Sequence, residues 1–120
     1  MVNASSINDG AAALLLGGEK YKKQAKFEII SYAGHAQDPT WFTTAPAEAM
    51  KKALKKANLS IDKIGVFEIN EAFSCVVLAT MKDLNLDHSK VNIFGGAVSL
   101  GHPIGCSGSR IVVTLMSAME

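Results

Sequence analysis

The sequence predicts an α/β fold with a mixed, mainly parallel sheet and packed helices, and three observations carry that prediction. A short apolar run rich in branched side chains, a polar or glycine-rich junction and a helix-forming stretch follow one another at residues 64–84. The same order returns at residues 91–116. Parallel neighbours in a sheet need a crossover, which a helix supplies, so this alternation favours strands lying side by side. Composition agrees: 120 residues with 48% hydrophobic and 19% charged side chains describe one folded domain, not a disordered tail. No repeat with a period of about 20–50 residues is present, which removes solenoids.

The elements follow in order. Residues 3–10, rich in Asn, Ser, Asp and Gly, suit turns and side-chain-to-backbone hydrogen bonds. They run into residues 11–16, an apolar segment whose length favours a buried strand, although its Ala and Leu also suit the start of a helix. Residues 20–26 are a charged, solvated stretch; Phe27, Ile29, Ile30 and Tyr32 then nearly alternate and predict a second strand. Asp38, Pro39 and Pro46 mark a loop. Beyond it Ala47, Met50, Ala53, Leu54 and Ala57 recur at helical spacing with lysines opposite, predicting a helix packed on one side only. Residues 64–69 form a third strand that ends at Asn70 and Glu71, where residues 72–84 take up helix-forming composition. Ala72, Phe73, Val76, Val77, Leu78, Thr80 and Met81 leave that helix little polar surface, so something should cover it. Residues 91–94 are strand-like and enter a segment, 95–108, with five glycines, His102 and Pro103. Ile111, Val112, Leu115 and Met116 restart a helical pattern. A final helix with no strand after it, and an opening turn with no element before it, are expected of a piece of a longer protein.

Charge narrows the function. A net charge of +1, with only the short run Lys51, Lys52, Lys55 and Lys56, lacks the footprint of a nucleic-acid binder. The apolar stretch at 11–16 is far short of the roughly 20 residues a membrane span needs, and the amino terminus lacks a signal-peptide layout. Cys75 and Cys106 offer neither a disulfide framework nor a zinc ligand set and fit a reducing compartment.

Both junctions, Asn70 with Glu71 and Gly101 with His102, fall at the carboxyl end of a predicted strand, where open α/β sheets gather ligands, so they are nominated as one site. A histidine between Gly101 and Pro103 suits a held imidazole acting as base or oxyanion donor; a loop histidine bonded to backbone carbonyls is the other reading. Asn70 either turns its carboxamide to a pocket or caps a helix through the amide of residue 72 or 73, with Glu71 as a first-turn carboxylate complementing the helix dipole. Cys106, four residues after His102, either pairs with it as a thiolate or fills a tight turn, and no third orienting group is visible beside it. Cys75 is read as packing, and His35 and His88, among polar neighbours, as solvent-facing turn residues. The glycines do not spell a Walker loop.

Three segments taken together resemble the thiolase family, most closely its acetyl-CoA acetyltransferases of the acetoacetyl-CoA type. They are Asn3-Ala4-Ser5-Ser6-Ile7-Asn8-Asp9-Gly10-Ala11-Ala12-Ala13, then Asn70-Glu71-Ala72-Phe73, then Gly95-Gly96-Ala97-Val98-Ser99-Leu100-Gly101-His102-Pro103-Ile104-Gly105-Cys106-Ser107-Gly108. The resemblance implies a reversible Claisen condensation of two acetyl-CoA to acetoacetyl-CoA and CoA. It makes His102 the group that activates a nucleophilic cysteine and helps bind the thioester oxygen, and Asn70 the holder of a water completing an oxyanion hole. Ala72 and Phe73 would shape the pocket wall, and Ser5 would contact the pantetheine part of coenzyme A. Ala4 and Val98 match backbone-carbonyl positions of a potassium site found in some relatives, although Met1 and Val2 stand where alanines are usual. No other cofactor is implied.

The resemblance also implies what this chain lacks. Neither the nucleophilic cysteine nor the acid/base cysteine of a thiolase is among these residues, and Cys106 inherits neither role, so the 120 residues alone are expected to be inactive. Residues 1–18 would close the amino-terminal half of a thiolase, and residues 19–120 would be its carboxyl-terminal domain without the last two strands. An open sheet edge should make the isolated chain prone to association. The full-length protein is expected to be a homo-oligomer with acetyl-CoA and acetoacetyl-CoA as partners, mitochondrial or cytoplasmic. A noncatalytic thiolase-like interaction module and a longer-chain 3-ketoacyl-CoA thiolase are the two other functions these residues admit.

Overall fold

A computed structural model describes residues 3–120. Met1 and Val2, which carry the departure from the potassium motif, lie outside the described residues. The elements are a 3-10 turn at Glu19–Gln24, another at Pro39–Thr44, helix α1 (Ala45–Ala57), a 3-10 turn at Ile61–Lys63, α2 (Ser74–Leu84), a 3-10 turn at His88–Lys90, α3 (Ala97–Leu100) and α4 (Ile104–Met119).

Local chemistry explains several of these boundaries. Asp38 accepts from the Thr40 amide, and Pro39 follows it at a position where a missing N–H is harmless, so the turn at Pro39–Thr44 starts there. Pro46 does the same for α1. α1 and α2 each end on an asparagine in the left-handed conformation, Asn58 and Asn85, whose amides bond back to the last turn. α1 is amphipathic as expected, with Ala47 buried and the lysines outside.

Of the expected mixed sheet, the described residues form one parallel and one antiparallel pairing. The parallel one joins Phe67 to Val91: the Phe67 amide donates to Lys90 (2.8 Å) and the Asn92 amide to Phe67 (2.8 Å). It stops there because Asn92 turns left-handed, φ 49°. Its carboxamide then replaces the next rung, Oδ1 accepting from the Ile69 amide (2.8 Å) and Nδ2 donating to the Ile69 carbonyl (2.9 Å). Around this pairing sits the core, Ile69, Val77 and Val91, with Met50, Phe67, Met81 and Leu86 packed against it. Thr80, fully buried, is tolerated there because its hydroxyl bonds to the Val76 carbonyl.

Four expectations need correction. Residues 11–16 are not a buried strand: Leu15 is 100% exposed and Leu16 72%, and no described segment pairs with them. Residues 27–32 likewise have no ladder; Ile29, Ile30 and Tyr32 are exposed, and the segment is fastened to α1 by Ser31 on the Ala53 carbonyl and Lys56 on the Tyr32 carbonyl. A strand-like sequence needs a neighbouring backbone before it becomes a strand, and none of the described residues supplies one. α2 begins at Ser74 because Ala72 and Phe73 are drawn into the antiparallel pairing with Ala4, and its Cys75 and Leu78 are exposed, not packed. Finally, the glycine segment is not one loop: it holds α3, and α4 already starts at Ile104.

Candidate functional site

Segment 3–10 threads between the two polar junctions and ties them together. Ser5 donates its amide (3.2 Å) and its hydroxyl (3.3 Å) to the Ala72 carbonyl, and the Ser74 amide donates to Asn3 (2.9 Å). One residue later the Ser6 carbonyl accepts from the His102 amide at 3.0 Å. Gly101 makes the approach possible: it holds φ 97°, and a Cβ there would run into the Asn8 side chain. Gly10 lies equally close against the Pro103 ring.

His102 is half-buried, and its Nδ1 lies 2.6 Å from the Ser107 hydroxyl. Ser107 is 4% exposed, and its own proton is directed to the Pro103 carbonyl at 3.2 Å. A hydroxyl has one proton to give; with that proton on Pro103, Ser107 Oγ accepts from Nδ1–H and Nε2 is the basic nitrogen. That is the tautomer a general base needs. The Cys106 pairing is not formed: Nδ1 is taken by Ser107, while Cys106 donates its amide to Pro103 (2.7 Å) and lines a separate cleft with Asn8, Asp9, Gly10 and Ile104.

Asn70 does not cap α2, whose N-cap is Phe73 with no side-chain bond. Its Oδ1 is buried and has no hydrogen-bond partner among the described residues. Asn70 and Ala72 line one cleft of about 390 Å³ with Phe42, Met50, Glu68 and Val76. Phe73, 41% exposed, packs edge-to-face on Phe42 with ring centroids 6.2 Å apart.

Glu71 is not a first-turn helix carboxylate, since α2 starts three residues later. It reaches across to the glycine segment instead, accepting from Asn92 Nδ2 (3.2 Å) and from the Val98 amide at the start of α3 (3.0 Å). Gly96 lies so close to this carboxylate that a Cβ would overlap it. Glu71 thereby couples the Asn70 junction to the segment that carries His102.

Ala4 sits at the position of the antiparallel pairing whose own N–H and C=O are not used, since the bonds run through Asn3 and Ser5. The amides three and four residues after Val98, those of Gly101 and His102, are spent on Ala97 and Ser6. Both carbonyls are therefore left without a backbone donor among the described residues, which is oxygen chemistry of the kind a hard cation takes. No group of three or more His, Cys, Asp or Glu side chains is arranged to hold a metal among them. His88 is exposed as expected, whereas His35 is half-buried between Gln37 (2.9 Å) and Lys52 (2.8 Å).

Sequence reasoning missed Ser107, Asn92, Glu68 and Arg110. A serine on the first turn after Gly-His-Pro, and an asparagine three residues before a glycine at a strand end, were signals for the first two. Glu68 is enclosed, its side chain 2% exposed, and burial pushes its carboxyl above the usual glutamate range against the opposing influence of Arg110, with Glu71 adding to the rise. No pattern in the sequence marks that burial.

Residues 22–120 match the thiolase carboxyl-terminal domain. The chain is 54% identical to acetyl-CoA acetyltransferase 1 of Arabidopsis thaliana, covering 98% of this chain and 29% of that protein. It is 50% identical to a probable acetyl-CoA acetyltransferase of Dictyostelium discoideum, covering 98% and 30%. The chain thus spans about 30% of the length of the curated relatives it matches. Among solved structures, the acetyl-CoA acetyltransferase of Bacillus anthracis superposes with a TM-score of 0.89 at 42% identity, over 98% of this chain and 31% of that one. A thiolase of Ascaris suum in complex with coenzyme A follows with 0.84 and 43%, over 99% and 32%. Human mitochondrial 3-ketoacyl-CoA thiolase gives 0.84 and 38%, over 98% and 31%. The α/β class therefore stands, with little of its sheet formed by these residues.

Proposed function

Since the chain belongs to the thiolase family, we propose that it is the part of an acetyl-CoA C-acetyltransferase that binds the thioester oxygen. The observation that carries this is the linkage of both junctions by consecutive residues, Ser5 on Ala72 and Ser6 on His102, with His102 held through Nδ1 by Ser107.

In the proposed reaction His102 Nε2 takes the proton of a cysteine thiol. The sulfur attacks the carbonyl carbon of acetyl-CoA, the C–S bond to coenzyme A breaks, and free CoA leaves with the proton. A second acetyl-CoA gives up an α-proton to a base; its α-carbon attacks the acyl carbon, a C–C bond forms and the cysteine sulfur departs, yielding acetoacetyl-CoA. Negative charge builds on a thioester oxygen in both halves. A donor placed there in advance stabilises that charge, and removing one such donor typically costs about 100- to 1000-fold in kcat. The water on the Asn70 carboxamide is such a donor in this proposal, and His102 joins it while Nε2 carries the proton taken from the thiol. Ser5, Ala72 and Phe73 border the pantetheine and acyl path.

The attacking sulfur is neither Cys75, exposed on α2, nor Cys106, which lines the separate cleft. The 120 residues alone are accordingly proposed to be inactive, both catalytic cysteines belonging to other parts of the full-length chain, which is separately proposed to form a homo-oligomer. Potassium would be held by the Ala4 and Val98 carbonyls, where its charge would stiffen the junction beside the thioester. Among the solved structures, identity of 42% to an acetyl-CoA acetyltransferase against 38% to a 3-ketoacyl-CoA thiolase leans toward the short-chain substrate.

The test is CoA-dependent cleavage of acetoacetyl-CoA. The 120-residue protein should show none, and a chimera carrying these residues in an acetyl-CoA acetyltransferase should turn over. His102→Ala in that chimera should lower kcat about 100- to 10,000-fold, the span of a lost general base. Full activity of His102→Ala would end the proposal.

A further inference from the structure

One buried charge pair is unused by this chemistry, and it sits between the two halves of the site. Glu68 lies two residues before Asn70, on the same cleft. Arg110 lies on α4, one turn beyond Ser107, the residue that holds His102. Arg110 Nη1 comes to 3.6 Å from Glu68 Oε2, beyond hydrogen-bond distance, with the two side chains 17% and 2% exposed. Both Glu68 oxygens, together with Arg110 Nε and Nη2, are buried without a hydrogen-bond partner among the described residues, as is Asn70 Oδ1. Among the described residues Arg110 is otherwise tied within its own helix, to Thr114 at 3.3 Å.

Stability does not account for this arrangement. Removing two charges from water roughly offsets their attraction unless every remaining proton and lone pair is satisfied, and here they are not. The other ion pairs among the described residues, Lys22–Glu28, Lys26–Glu120 and Lys51–Glu48, are exposed, where such contacts matter little. What the buried pair does do is join two elements: the segment presenting Asn70 and the helix whose first turn fixes His102. The contact is a buried ion pair without a hydrogen bond, and it is the attraction between the two charges, little screened there, that draws the elements together.

Building on the roles proposed for His102 and Asn70, we infer that Glu68 and Arg110 are positioning residues that set the Asn70 segment against α4. They fix how the carboxamide and the imidazole stand relative to each other. Neither touches substrate. Burial, which raises the Glu68 carboxyl, acts with Glu71 and against Arg110, so these are the charged groups that bear on the pair.

The experiment reads side chains, not turnover, so its failure is separable from failure of the proposed function. Ring nitrogen signals of His102 and the side-chain amide signals of Asn70 are recorded by NMR on the 15N-labelled protein. Four forms are compared: the protein itself, Arg110→Lys, Glu68→Gln combined with Arg110→Met, and the surface control Glu120→Gln. Both sets of signals should shift by more than a linewidth in Arg110→Lys and in the paired variant, even where the paired variant melts at the original temperature, and neither should move in the control. Unmoved His102 and Asn70 signals in a folded Arg110→Lys or paired variant would overturn the inference and leave the pair structural only. Should the paired variant fail to fold, Arg110→Lys decides alone, because it retains the charge while changing the shape and reach of the cation that faces Glu68.

Discussion

The Ser107 hydroxyl stands 2.6 Å from His102 Nδ1 and is itself almost fully buried on the first turn of α4. That single contact engages Nδ1 and fixes where the ring points. A histidine in a glycine-rich segment becomes a directed base because a helix starts beside it.

Ser107→Ala should therefore impair the base without removing it. Loss of the acceptor frees the ring to exchange tautomers, and kcat in the active chimera should fall about tenfold, the equivalent of a hydrogen bond of about 1.4 kcal/mol. Ser107→Thr, which restores a hydroxyl, should recover part of it. Steady-state kcat with unchanged KM checks the outcome; a raised KM at constant kcat would contradict it.

Gly96→Ala should be more damaging than its one methyl suggests. The new Cβ would meet the Glu71 carboxylate, which is fixed on both sides by Asn92 and Val98. Overpacking of this kind costs about 1–3 kcal/mol, read as a lowered urea midpoint at constant slope. Gly105→Ala, with open space around its Cβ, is the matched control and should be close to neutral.

Asn92→Ala should unfasten the core pairing. It strips the Ile69 amide and carbonyl of their partner and takes one donor from Glu71. Leaving buried backbone groups unpaired costs about 1–3 kcal/mol each, so a loss near the top of that range is expected. Asn92→Gly, which tolerates the left-handed backbone, should be as destabilised, since the bonds and not the φ carry the effect. Recovery in Asn92→Gly would reverse that attribution.

Stability against pH should carry the mark of Glu68. Its carboxyl in the folded protein ionises above the ordinary value of 4.5, so between the two values the folded chain binds more protons than the unfolded one. This contribution is present below the ordinary value and is lost as pH rises through the folded one. Urea midpoints should accordingly decline less over that window in Glu68→Gln than in the parent. Identical slopes in the two proteins would refute it.

How much was legible follows from the kind of force at work. The helices at residues 45–57 and 74–84, and the two polar junctions, could be read because helix periodicity, proline and the Asn-Glu and Gly-His-Pro junctions act over a few residues. Residues 11–16 and 27–32 could not: the length of the first and the near-alternation of the second predict strands, yet Leu15 and Tyr32 lie open and no described segment pairs with either.

By itself the sequence determined the family, the turn chemistry and the candidate pair His102 and Asn70, since motif residues and local conformational preference travel with the chain. Only tertiary structure decided that Ser5 and Ser6 bind the two junctions together, that Glu71 serves α3 and not α2, that Cys106 is passed over for Ser107, and that Glu68 meets Arg110. Each of these joins residues through distance, burial and the desolvation of polar groups, and those quantities do not exist until the segments are packed.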